Sequence, residues 1–136
     1  MNNAQPVLFF SDTHFGAHGP AQEQTKIERF VSLLDHARRI GAEVFFLGDL
    51  FDFWFEYRHW MPKVAVEIPA AIRAIIAKGG QFHLIVGNHD CLTEDYFTRH
   101  LGVHLHFDDL IVVRQGVRIL ISHGDGKAPS RMRPAL

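Results

Sequence analysis

The chain has 136 residues, which fit one domain, or part of one, with a real core. A hydrophobic share of 47% and a charged share of 21% exclude a disordered, weakly apolar chain. A net charge of -1 argues against broad electrostatic binding to nucleic acid.

The N-terminal run MNNAQPVLFFSD lacks the basic and long apolar regions of a secretory signal. No window reaches the roughly 20 apolar residues that span a bilayer. Cys91, the single cysteine, excludes an internal disulfide and suits a reducing, cytoplasmic setting. Its neighbours favour a small packed residue over a reactive thiol.

Val7 to Phe10 reads as a first strand, with Ser11 and Asp12 at its exit. Ile27, Phe30, Val31 and Leu34 give residues 21–40 the spacing of an amphipathic helix, with Gly41 as its C-terminal cap. Val44 to Leu47 is a second strand. The aromatic stretch from Phe51 to Trp60 is a loop or a short irregular helix. Residues 64–78 carry Ile68, Ile72, Ile75 and Ile76 on one side and end at Gly79-Gly80, a second helix in which Pro69 marks the start or a kink.

Phe82 to Val86 is the third strand, and a short helix covers Glu94 to His100. Leu110 to Arg114 and Val117 to Ser122 flank Gln115-Gly116 as a hairpin. Strand, helix, strand, helix, strand predicts an α/β fold with a parallel sheet and right-handed crossovers, which the hairpin would make mixed. There is no internal repeat or linker, so residues 1–136 are expected to form a single domain.

Four of these apolar runs end in polar clusters: Asp12-Thr13-His14, Gly48-Asp49-Leu50-Phe51-Asp52, Gly87-Asn88-His89-Asp90 and Ser122-His123-Gly124-Asp125. Strands that deliver Asp, Asn and His at their C-terminal ends point to one assembled site. Asp12 and His14, two positions apart, can leave an extended segment on the same side and serve one ion. Asp49 can place one oxygen on each of two ions, while Asn88 adds a carbonyl oxygen and His123 a second imidazole. Such a mixed set suits Mn²⁺, Fe or Zn²⁺ and is poor for Cu(I). Two ions would lower the pKa of a shared water and clamp a phosphoryl oxygen. His89 is placed to stabilise or protonate the departing oxygen, with Asp90 holding its imidazole in one tautomer. Asp52 reads as a supporting residue rather than a ligand. Taken singly the clusters are weak, since Gly-Asn is most often only a turn; together, in this order, they are not.

With these motifs the chain resembles the calcineurin-like metallophosphoesterases, over essentially its whole length. The run from Gly48 to Tyr57, with Gly87 to Asp90 and His123 to Asp125, is most similar to the UDP-2,3-diacylglucosamine diphosphatase group of lipid A synthesis. The resemblance implies a β-sandwich flanked by helices, and Mn²⁺-dependent attack of water on a pyrophosphate that releases UMP and a diacylglucosamine 1-phosphate. It assigns Asp12, His14 and Asp49 to one ion and Asp49, Asn88 and His123 to the other. It further implies a nucleotide-linked lipid substrate and contact with the inner-membrane surface, and sets no oligomeric state.

The family pattern closes with a Gly-x-His-x-His segment, yet residues 124–136 contain no histidine. The chain is therefore expected to be an N-terminal portion whose C-terminal part is absent. His104 and His106 are either substitutes for that pair or polar positions on a half-exposed strand; the remaining histidines, at 18, 36, 59, 83 and 100, read as surface or structural. The aromatics after Asp52 are either core or a lid over the substrate, with Trp54, Tyr57 and Arg58 as candidate contacts. Rival readings keep the fold with another phosphoester substrate, or use it as a non-catalytic scaffold.

Overall fold

The computed structural model describes residues 4–90 and 93–124. Cys91, Asp125 and everything after it lie outside the described residues. Within them the order is β1 (Val7–Phe10), α1 (Pro20–Arg39), β2 (Glu43–Phe46), α2 (Glu67–Ala77), β3 (Gln81–Ile85), a π-helical turn (Tyr96–Leu101), β4 (His104–His106), β5 (Leu110–Arg114) and β6 (Val117–Ile121).

The first four strands form one sheet in the order β1-β2-β3-β4, parallel throughout. Side chains alternate across its two faces, so each strand serves two layers. Leu8, Phe10, Val44, Phe46, Phe82, Leu84 and Leu105 face α1 and α2, where they meet Phe30, Leu34, Ile68, Ile72 and Ile75 in the larger core. Both helices lie on that face, as crossovers of one hand stepping in one direction must place them. Pro69 falls in the first turn of α2, where its missing N–H has no helical partner to lose. At the end of α1 the Ala42 amide returns to the Ala37 carbonyl at 2.9 Å, and Gly41 takes a φ of 67°.

The opposite face carries Val7, Phe45, Leu47 and Ile85 against Leu110, Val112, Ile119 and Ile121 of the β5-β6 hairpin. Among the described residues this hairpin does not join the parallel sheet, contrary to the expectation of a mixed sheet; it forms a separate two-stranded layer, in keeping with the sandwich also expected. Its alternating apolar positions have a face to bury, and stacking on the sheet buries them where an edge pairing would not. β4, by contrast, does extend the sheet, pairing His104 with His83 and His106 with Ile85.

An ionic cluster fastens the hairpin to the sheet. Glu43, 2% exposed, accepts both Arg114 Nε (2.6 Å) and Nη2 (2.7 Å) from the end of β5. Its Oε1 also lies 2.9 Å from His83 Nε2, whose Nδ1 is 3.1 Å from His106 Nε2. The His83 ring stacks on Phe45 at 4.2 Å. His104 and His106 are therefore strand residues tied up with His83, not substitutes for terminal metal ligands. Arg114 and His83 hold the Glu43 carboxyl below its ordinary value, against the effect of burial. Burial dominates at His83 and lowers its pKa to about 4.

Unfolded, His83 takes up a proton near pH 6.5; folded, it does so only near 4. Acidification between these values favours the unfolded chain. The melting temperature is expected to drop by roughly 5 °C or more from pH 6.5 to 4, and by visibly less in His83→Phe, as followed by circular dichroism.

Candidate metal centre

The C-terminal ends of β1, β2 and β3 converge with the end of β6, and the polar clusters form the loops that leave them. The first two loops are zipped by main-chain bonds: Asp12 N–H to Gly48 O at 3.1 Å, His14 N–H to Asp49 O at 3.0 Å and Phe15 N–H to Leu50 O at 3.0 Å. Thr13 Oγ1 donates to Leu50 O at 2.8 Å. Asp12, His14 and Asp49 sit at φ 56°, 45° and 57°, in the left-handed region that non-glycine residues rarely adopt. Strain of this kind gathers at sites where side-chain direction matters more than backbone comfort.

The third loop approaches so closely that only glycine fits. A Cβ on Gly87 would lie 2.6 Å from the Asp49 amide nitrogen and 2.9 Å from Asp90 Oδ1. Gly48, at φ 92°, faces the same limit, since a Cβ there would meet His123 Nδ1 at 2.5 Å.

Asp49, 4% exposed, is the centre of the arrangement. Its Oδ2 stands 3.4 Å from His14 Nε2 and 3.3 Å from His123 Nε2. Asp12 Oδ1 lies 3.5 Å from His14 Nε2, and Asn88 Oδ1 lies 3.0 Å from His123 Nε2. Asp12, Asp49 and His123 present ligand atoms within 4.8 Å of one another, and so do His14, Asp49 and His89. The structure thus brings together Asp12, His14, Asp49, Asn88 and His123, and adds His89 to the same rim.

One expectation changes in detail. Asp49 does not offer one oxygen to each side: its Oδ1 accepts the His89 amide at 3.0 Å, leaving Oδ2 as the oxygen that both imidazoles face.

The donor set fits a divalent ion. His123 Nδ1 is 2.6 Å from Leu47 O, so the imidazole donates there and turns its Nε2 lone pair toward Asp49. His14 Nδ1 lies 3.4 Å from Asp52 Oδ1, which performs the same service. A ring nitrogen held by a carbonyl or carboxylate, with the other turned inward, is how metal-binding histidines are oriented.

Asp90 does something different from the expected orientation of His89. Its carboxylate is fully buried and accepts Gly87 N–H at 2.7 Å and Asp49 N–H at 3.2 Å on Oδ1, with Leu50 N–H at 3.4 Å from Oδ2. These amides compete for it, and the His89 ring turns the other way. His89 Nδ1 instead contacts the main-chain carbonyl of Asp52. That carbonyl, with the charges of Asp49, Asp52 and Asp90, raises the His89 pKa from its ordinary value. Burial raises that of Asp90 despite its amide donors.

The aromatic stretch divides. Phe51 and Trp54 are buried beneath the loops, and Trp54 stacks on Phe51 at 4.6 Å and donates its indole N–H to Glu56 at 3.0 Å. Trp54 is therefore a core residue and not a substrate contact, because its ring has no open face. Tyr57 and Arg58 are exposed on a tight turn closed by reciprocal Tyr57–Trp60 main-chain bonds, with the guanidinium 5.3 Å above the Tyr57 ring. Phe53 and Trp60 are exposed as well, at 60% and 74%.

This chain belongs to the calcineurin-like phosphoesterase family, whose profile matches residues 5–134. Among curated relatives, a UDP-2,3-diacylglucosamine hydrolase of Porphyromonas gingivalis is 33% identical over 119 residues, covering 88% of this chain and 45% of the relative. Enzymes with the same name from Pseudomonas paraeruginosa and Aliivibrio fischeri are 32% and 31% identical, with 48% and 47% of their lengths covered. The chain thus spans about half the length of the curated relatives it matches. A solved protein of unknown function from Aquifex aeolicus superposes with a TM-score of 0.55 at 21% identity, covering 92% of this chain and 63% of that one, which bears on the fold alone.

Replacing Asp90 by Ala would leave the buried amides of Gly87, Asp49 and Leu50 without an acceptor. Urea unfolding of the metal-free protein is expected to show a loss of about 2–4 kcal/mol. A loss under about 0.5 kcal/mol would mean that the loops do not depend on this carboxylate.

Proposed function

We propose that the chain forms the metal-binding part of a hydrolase that cleaves a phosphate anhydride, with UDP-2,3-diacylglucosamine as substrate and UMP and the diacylglucosamine 1-phosphate as products. The observation that carries this reading is the single Asp49 oxygen set between two inward-turned imidazole nitrogens, at 3.4 and 3.3 Å. Asp12, His14 and Asp49 would hold one divalent ion and Asp49, Asn88 and His123 a second, with Mn²⁺ the first choice for such a donor set. Ions held there supply Lewis acidity toward a phosphoryl oxygen and toward water.

The chain's own residues contribute orientation and proton transfer. Asp49 and Asp12 carry the negative charge that draws cations to the loop ends. The Asp52 carbonyl fixes the His89 ring by Nδ1, so Nε2 is the nitrogen available to donate a proton to a departing oxygen. The names of the relatives supply the substrate, which is assigned here on that similarity. Phe53, Tyr57, Arg58 and Trp60 are exposed, and on them we place contact with the lipid part of the substrate and with the inner-membrane surface on its cytoplasmic side. No helix among the described residues is long and apolar enough to cross a membrane.

The test uses the full-length protein with Mn²⁺ and compares UDP-2,3-diacylglucosamine with bis-(p-nitrophenyl) phosphate and single-stranded DNA. Turnover of the lipid nucleotide should exceed that of the other two, and Asp49→Ala should lower it by roughly 10²–10³-fold or more. Preference for the simple diester would assign another phosphoester substrate. Equal turnover by Asp49→Ala would sink the hydrolytic reading of this site.

A further inference from the structure

The loop that carries His14 is held from outside the metal centre by two residues of α1. Glu23, in the first turn of the helix, accepts Gly16 N–H at 2.9 Å with Oε2 and His18 N–H at 3.0 Å with Oε1. Lys26, one turn further on, donates to the His14 carbonyl at 3.0 Å and to Glu23 Oε1 at 2.9 Å. Its ammonium also lies 3.3 Å from His18 Nδ1 and 5.4 Å from the centre of the Phe15 ring. Both side chains are largely withdrawn from solvent, at 13% and 22% exposure. Glu23 stays below the ordinary carboxylate value, because Lys26 and the two amides outweigh the opposing effect of burial.

This is more than an ion pair on a helix surface, which by itself contributes little. A pair of that kind needs no main-chain partner, whereas here both groups grip the backbone on either side of Phe15. The His14 carbonyl that Lys26 holds belongs to a residue at φ 45°, a conformation its sequence does not favour. Among the described residues, that carbonyl otherwise takes only the Ala17 amide, at 3.1 Å. Turning His14 back to an ordinary conformation would swing its Nε2 away from Asp49 and Asp12.

We propose that Glu23 and Lys26 are positioning residues for metal binding, which lock the His14 loop in the strained conformation that aims its imidazole at Asp49. The proposal rests on the metal-centre reading above. Lys26 contacts the His14 carbonyl and not its imidazole, so it would act on metal binding through the backbone of the residue whose side chain faces Asp49. Arg at position 26 can donate to the same carbonyl and pair with Glu23, while Met keeps the helix and the contact with Phe15 but donates nothing.

The experiment titrates Mn²⁺ into the full-length protein, following the free-ion signal by electron paramagnetic resonance. Wild type, Lys26→Met, Lys26→Arg, Glu23→Gln and Asp49→Ala are compared, each with its melting temperature in EDTA. Expected is a roughly 10-fold weaker Mn²⁺ affinity in Lys26→Met and Glu23→Gln, near-wild-type affinity in Lys26→Arg, and metal-free melting temperatures within about 2 °C of wild type. Wild-type affinity in Lys26→Met, while Asp49→Ala binds no Mn²⁺, would overturn this inference and leave the metal centre standing. An affinity loss accompanied by a large fall in the metal-free melting temperature would also overturn it, making the pair a folding element. No Mn²⁺ binding by wild type would overturn the metal centre and this inference with it.

Discussion

The site depends on one buried carboxylate whose oxygens are taken up by main-chain amides. Asp90 gathers the amides of Gly87, Asp49 and Leu50, and so joins the exit of β3 to the exit of β2. Asp49 returns the contact by accepting the His89 amide. Two neighbouring loops thus hold each other through an acid–amide exchange, and the loop after β1 is zipped onto the second by main-chain bonds. Charge-assisted bonds of this kind are about twice as strong as neutral ones. They offset the cost, about 1–3 kcal/mol for each residue, of keeping Asp12, His14 and Asp49 in the left-handed region.

The fourth contributor comes from another layer. His123 follows β6, which is not part of the parallel sheet, and it reaches Leu47 and Asn88 only because the hairpin lies on the correct face at the correct angle. Apolar packing sets the face, and it does so without direction. The Glu43–Arg114 pair adds direction, because a bidentate contact pins the end of β5 to the first residue of β2. The ionic cluster near one end of the sheet and the metal ligands at the other are thus parts of one device for placing His123.

The helix layer also has two duties. Phe30, Leu34, Ile72 and Ile75 bury their side chains against the sheet, as the 3.6-residue spacing of the sequence requires. The first turn of α1 does other work, since Glu23 and Lys26 face the His14 loop. Polar residues at the start of an amphipathic helix look like solvated surface in a sequence, and nothing in their spacing marks a loop that folds back over them.

Period and punctuation made the elements legible: the first strand at 7–10, strands expected at 44–47 and 82–86 and found one residue earlier, both long helices and the hairpin follow from short apolar runs, 3.6-residue spacing and Gly positions, because these patterns are local. The same locality disclosed the candidate ligands Asp12, His14, Asp49, Asn88 and His123, since each ends an apolar run. Side-chain direction after a tight turn was not legible. Gly87-Asn88-His89-Asp90 permits Asp90 to face the His89 ring or the amides of a neighbouring loop, and only the approach of β2 decides for the amides. Trp54 could face a substrate or the core until Phe51, Tyr96 and Phe97 closed around it. His104 and His106 alternate as a ligand pair would, yet the partner that claims His106 is His83 on the next strand. The sequence by itself determined which residues could bind metal and which elements carry them. Only the tertiary structure decided which oxygen of Asp49 faces both imidazoles, what holds each ring and where the hairpin lies, because those outcomes depend on contacts between residues some 35 to 75 positions apart.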